Sequence, residues 1–116
     1  MPTLNVTTNV PGNGVDASDT IKALSSTVAS SVGKPESYVL VTLRTDTPTC
    51  FGGSEAPAAY GELLSIGAIG GDKNKSISAA ISEVLKVQLG VPSDRFYLKF
   101  TDVPRSDFGW KGSTFA

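Results

Sequence analysis

Two Gly-x-Pro triplets constrain this chain more than any other feature: Gly33-Lys34-Pro35 and Gly90-Val91-Pro92. Glycine suits the left-handed position that ends a helix, and the proline two residues on prevents the helix from continuing. The same order of segments surrounds each triplet. In the first half, residues 2–8 alternate apolar Leu4 and Val6 with polar neighbours and predict a strand. Pro11-Gly12-Asn13-Gly14 predicts a loop, and Asp16 or Ser18 can cap a helix start. Ile21, Leu24, Val28 and Val32 follow at spacings of three and four, which gives a helix one apolar face. Residues 38–44, rich in β-branched and aromatic types, predict a strand after the triplet.

The second half repeats the order. Residues 58–66 predict a strand despite Gly61 and Glu62, with Cys50 and Phe51 extending a strand up to the Gly52-Gly53 break. Gly67, Gly70 and Gly71 bracket a turn, and a helix over 72–89 places Ile77, Ile81, Val84, Leu85 and Leu89 on one face. Residues 95–101 then alternate, with Phe96, Leu98 and Phe100 on one side and Tyr97 and Lys99 on the other. Two β-α-β units imply an α/β (α+β) fold: a four-stranded mixed sheet with two parallel strand pairs. Right-handed crossovers put both helices on one face, so the other face lacks a cover and oligomerisation is expected. The tail carries Phe108, Trp110 and Phe115, too many large aromatics for a disordered segment, and is expected to dock on a neighbouring subunit. At 116 residues the chain is expected to form one domain, 1–116.

Composition removes several chemistries. There is no histidine, which excludes Ser-His and Cys-His nucleophile pairs and histidine metal sites. Cys50 is the one cysteine; with no histidine to activate it and no second thiol to pair with, it reads as a buried structural thiol in a reducing compartment. Ten basic against 11 acidic residues give a net charge of −1, which argues against a nucleic-acid partner. No apolar run is long enough for a membrane span and no signal peptide precedes the first strand, so a cytoplasmic location is expected, with any export by a non-classical route. The glycine pairs match no phosphate-binding fingerprint and read as turns.

Pro2 stands out instead. Removal of Met1 would leave a secondary amine at the start of a core strand, held in place and not frayed. Such an amine serves as a general base when its ammonium form is disfavoured, and burial or a nearby cation does that.

The chain resembles the macrophage migration inhibitory factor and D-dopachrome tautomerase family. The resemblance rests on Met1-Pro2, Thr8-Asn9-Val10, Gly33-Lys34-Pro35-x-x-Tyr38, Phe51-Gly52-Gly53-Ser54, Ser65-Ile66-Gly67, Pro92-x-Asp94-Arg95 and Gly109-Trp110-x-Gly112-Ser113-Thr114-Phe115, in the family's order along nearly the whole chain. It implies a tautomerase-type fold assembled as a homotrimer with active sites between subunits. It further implies Pro2 as the catalytic base and Lys34 as the cation that lowers its pKa and attracts a substrate carboxylate. Ile66 would hold substrate through its backbone, and Tyr97 would come from the adjacent subunit. Phe108 and Trp110 would form the apolar rim, with Tyr38 at the pocket mouth. The substrate implied is a small aromatic keto or enol acid of the phenylpyruvate type; no cofactor or metal is needed.

This sequence departs from the family pattern in places. Lys99 stands where vertebrate members commonly carry asparagine, a plant-like choice that adds a cation to the pocket; it would lower the Pro2 pKa further or favour more negative substrates, or equally would obstruct an uncharged aromatic ring. Phe108 narrows the mouth. Ala58-Ala59-Tyr60 replaces the family's Cys-x-x-Cys, which removes thiol redox activity, and Gly12 replaces an arginine tied to receptor recognition. Because Lys99 and Phe108 both alter the pocket, a second reading stays open: a signalling or interaction protein with a protein receptor as partner and little catalysis.

Overall fold

The computed structural model describes residues 1–116. Strand β1 (Thr3–Thr8) leads through helix α1 (Ala17–Val32) to β2 (Leu40–Arg44). Strand β3 (Ala59–Ser65) leads through α2 (Gly71–Leu89) to β4 (Phe96–Asp102). Two short strands, β5 (Gly109–Trp110) and β6 (Ser113–Thr114), form a hairpin in the tail. The main sheet has the order β2-β1-β3-β4, parallel within each β-α-β unit and antiparallel between β1 and β3. No helix is long and apolar enough to cross a membrane.

The sequence repeat is a structural repeat with a fixed offset of 57 positions. Gly33 and Gly90 both end their helices in the left-handed conformation, at φ of 69° and 71°. The prolines that follow each start a single 3₁₀ turn, Glu36–Tyr38 and Ser93–Arg95. Thr3 pairs with Leu40, and the residues 57 positions later, Tyr60 and Tyr97, pair with each other. The first turn delays the second strand, which begins at Leu40 and not at Tyr38. Asp16, not Ser18, caps α1, its carboxylate accepting from the Asp19 N–H at 2.9 Å.

Both helices lie on one face of the sheet. Leu24, Val28 and Val32 from α1 and Ile77, Ile81, Leu85 and Leu89 from α2 bury against Leu4, Val6, Leu63 and Phe96. Gly61 leaves little room for a side chain in β3: a Cβ there would stand 3.2 Å from the side chains of both Leu98 and Phe96. That close approach explains a glycine inside a central strand.

The other face is a bare grid of three rows, read across the four strands as Leu40–Thr3–Leu64–Thr101, Thr42–Asn5–Glu62–Lys99 and Arg44–Thr7–Tyr60–Tyr97. Nothing in the chain covers it, as the paired crossovers imply.

Two expectations are corrected. Cys50 is exposed. The segment before it alternates, turning Thr45, Thr47 and Thr49 inward and Asp46, Pro48 and Cys50 outward. Cys50 and Phe51 form no strand; Phe51 makes a single bridge to Ser54 across the Gly52-Gly53 turn. The tail packs on its own chain. Phe115 stacks on Trp110 with centroids 5.4 Å apart and meets Phe108 edge-on at 6.1 Å, while Tyr38 abuts both Trp110 and Phe115.

Candidate active site

The start of β1 is where most of the expected site residues gather. Pro2 is buried and its carbonyl accepts from the Leu40 N–H at 3.0 Å, so the residue enters the sheet at its first position. Met1 lies over it, and its amine donates to the Tyr38 carbonyl at 3.1 Å. Burial, and then the charge of Lys34, hold this amine below its ordinary pKa of 8.0. Lys34 reaches the amine because the Gly33 turn reverses the chain at the end of α1, the same end of the sheet at which β1 begins.

Two hollows meet at Met1. One, of about 320 Å³, is lined by Lys34, Pro35, Tyr38, Arg105, Trp110 and Phe115. The other, of about 260 Å³, is more apolar and includes Val39, Leu40, Phe108 and Trp110. Tyr38, Trp110 and Phe115 border both. The arrangement offers an amine with weakened basicity, a cation for a carboxylate and an apolar wall for a ring.

The structure thus brings Lys34, Tyr38, Phe108 and Trp110 together around Met1-Pro2. Ile66 follows β3 at the same end of the sheet, since Leu64 lies opposite Thr3; its side chain is buried and lines neither hollow. Tyr97 and Lys99 lie elsewhere. Tyr97 shares a row with Thr7, four residues along β1 from Thr3, and β4 is two strands from β1. That places Tyr97 about 13 Å along the sheet and about 10 Å across it from the start of β1. Tyr97 is 67% exposed and rests against Phe51, with centroids 4.8 Å apart. Lys99 sits in the middle row of the bare face, opposite Glu62. Within one chain neither reaches the hollows at Met1.

Sequence reasoning missed the roles of two residues. Arg105 lines the Lys34 hollow, placed there by a 3₁₀ turn, Arg105–Asp107, that follows Pro104. No spacing rule joins it to Lys34, 71 positions earlier. Arg95 occupies the place of Tyr38 in the repeat, and its guanidinium donates to the carbonyls of Phe51, Ser54, Ala56 and Pro57. No three His, Cys, Asp or Glu side chains gather at metal-binding spacing.

Known proteins give the same picture over the full length. The family described as macrophage migration inhibitory factor is matched by residues 1–116. A macrophage migration inhibitory factor homolog of Trichuris trichiura is 44% identical, over 99% of this chain and 100% of its own. The Xenopus tropicalis macrophage migration inhibitory factor is 39% identical over the whole of both chains. The crystal structure of a homologue from Prochlorococcus marinus superposes with a TM-score of 0.93, at 38% identity, covering 98% of this chain and 99% of that one. This chain therefore belongs to the macrophage migration inhibitory factor family.

Proposed function

We propose that the protein is a keto–enol tautomerase that uses Pro2 as its base on phenylpyruvate-like 2-keto acids. The observation that carries this reading is the placement of the chain's start: buried Pro2 opens β1 below a hollow that Met1 shares with Lys34, Tyr38, Trp110 and Phe115, and burial and Lys34 lower the pKa of the amine now on Met1. With Met1 attached, the Pro2 nitrogen is an amide without basicity. With Met1 removed, the terminal amine moves to Pro2, beneath the space that Met1 now takes up in both hollows.

In that form the neutral Pro2 nitrogen accepts a proton from the carbon next to the keto group. The electron pair left on carbon moves into the carbonyl, whose oxygen takes a proton to give the enol. Ketonisation reverses these transfers, with the Pro2 ammonium as the donor. Lys34 holds the carboxylate and opposes the enolate charge. Phe108, Trp110 and Phe115 enclose the ring and exclude water. No cofactor or metal takes part. A homotrimer completes the site: the bare sheet face becomes buried, and a neighbouring subunit supplies Tyr97 and Lys99. The separation of these two residues from Met1 within one chain supports this assignment.

The test is the ketonisation rate of enol 4-hydroxyphenylpyruvate with protein whose mass shows Met1 removed, beside Pro2→Gly. The wild type should be fast and the variant slower by on the order of 100-fold. Equal rates in two folded proteins would remove Pro2 from the mechanism. A mass in solution other than three chains would remove the trimer.

A further inference from the structure

We propose that Arg105 is a second anion-binding position in the Lys34 pocket and that it selects keto–enol acids carrying a second carboxylate on the ring. This deepens the tautomerase reading above and rests on it for the substrate's reactive end.

Lys34 and Arg105 line one hollow of about 320 Å³, with no acidic side chain on its wall. The chain's one ion pair is Lys75–Asp72, on the exposed start of α2, so neither pocket cation is neutralised by a carboxylate. Two unpaired cations in one small pocket repel each other and favour a ligand with more than one negative charge. A substrate with one carboxylate uses one of them.

The two cations are not equivalent. Lys34 acts on the terminal amine, where the reacting carbon must lie, and so belongs to the carboxylate beside the keto group. Arg105 stands on a different element, the 3₁₀ turn after Pro104, which the Asp107 N–H closes on the Pro104 carbonyl at 2.9 Å. Tyr38, Trp110 and Phe115 complete the wall, a surface suited to an aromatic ring. The guanidinium, with its planar fork of donors, suits a carboxylate better than a single ammonium does.

The neighbouring hollow sharpens the choice. It contains Phe108, Val39 and Leu40 and neither of the two cations. An uncharged ring is at home there. A ring bearing a carboxylate is drawn to the Arg105 side.

The experiment uses Met1-free protein and two ligands that cannot tautomerise, 3-phenylpropanoate and 4-(2-carboxyethyl)benzoate, with binding followed by the fluorescence of Trp110, the chain's one tryptophan. The dicarboxylate should bind the wild type at least fivefold more tightly than the monocarboxylate, with the ratio shrinking as salt is added. Arg105→Ala should bring the ratio towards one, Arg105→Lys should keep part of it, and Arg105→Glu should invert it. A wild-type ratio near one, or a ratio untouched in Arg105→Ala and Arg105→Glu, overturns the proposal. Binding is read without turnover, so failure of Pro2 as a base and failure of Arg105 as a selector give separate results.

Discussion

The Met1 amine donates to the Tyr38 carbonyl at 3.1 Å, which fastens the beginning of the chain to the turn that follows Lys34. One short 3₁₀ turn therefore does two things. It fixes the amine within reach of the Lys34 charge, and it presents the Tyr38 ring to Trp110 and Phe115. The electrostatic and the apolar parts of the site share one support.

The first prediction concerns that amine. In protein that retains Met1, Lys34→Ala should raise the amine's pKa, because the variant removes one of its two depressing causes and leaves burial in place. The pH dependence of the Met1 Cα carbon shift reads this directly. The sign for stability follows. Between the folded pKa and 8.0 the unfolded chain binds more protons than the native one, so stability rises with pH through that window. It is lost as pH falls through the folded pKa. Lys34→Ala should narrow the window from below; identical titration midpoints in the two proteins would contradict the assignment of Lys34.

A second prediction concerns the tail. Tyr38 meets Trp110 at 5.4 Å and Phe115 at 6.4 Å, both edge-on. Each such pair contributes about 0.5–1.5 kcal/mol beyond its buried area. Tyr38→Ala should therefore loosen residues 108–116 by about 1–3 kcal/mol, on the order of 10- to 100-fold faster amide exchange there, with little change in α1. It should also shift Trp110 emission to the red. Exchange that stays slow in the tail would mean that Phe108 and the β5–β6 hairpin hold it unaided.

The sheet and helices were legible because each rests on a local rule with a strong residue. Gly33 and Gly90 take the left-handed conformation at helix ends, and Leu4, Val6 and Leu63 alternate towards the core. The repeat reinforced every assignment twice. Cys50 was misread because a lone thiol carries no period of its own; the alternation of Thr45, Thr47 and Thr49 decided its direction. The roles of Arg105 and Arg95 were invisible for a different reason. Their partners are distant in sequence, and in the case of Arg95 they are backbone carbonyls, which leave no mark on the side-chain pattern. The tail's aromatics were legible as anchors, but only the geometry of Tyr38 showed what they anchor to.

Thr8 gives a third prediction. Its fully buried hydroxyl donates to the Ala58 carbonyl at 2.7 Å and accepts from the Val10 N–H at 3.2 Å. Thr8→Val keeps the shape and orphans both groups, which should cost about 3 kcal/mol. Thr8→Ser keeps both bonds and loses one methyl, at about 1 kcal/mol. Urea denaturation of the two variants tests this ordering. Equal midpoints would mean that the hydroxyl bonds add nothing to the methyl's packing.

Arg95 gives the last. Its guanidinium donates to Ala56 O at 2.8 Å, Pro57 O at 2.9 Å, Ser54 O at 3.0 Å and Phe51 O at 3.2 Å, and lies 5.3 Å from the centre of the Phe51 ring. These bonds close the 51–57 loop over the β3–β4 end of the sheet, where Phe51 supports Tyr97. Lysine carries the charge but not the fork, and one ammonium cannot span four carbonyls. Arg95→Lys should therefore cost about 2–4 kcal/mol and speed amide exchange in residues 51–57. Freed from Phe51, Tyr97 would lose its orientation. In a trimer that shares Tyr97 across subunits, KM should then rise with Pro2 and Lys34 untouched. A variant that melts like the wild type would show the loop to be held by its own turns. One that is destabilised yet keeps the wild-type KM would separate Tyr97 from the pocket.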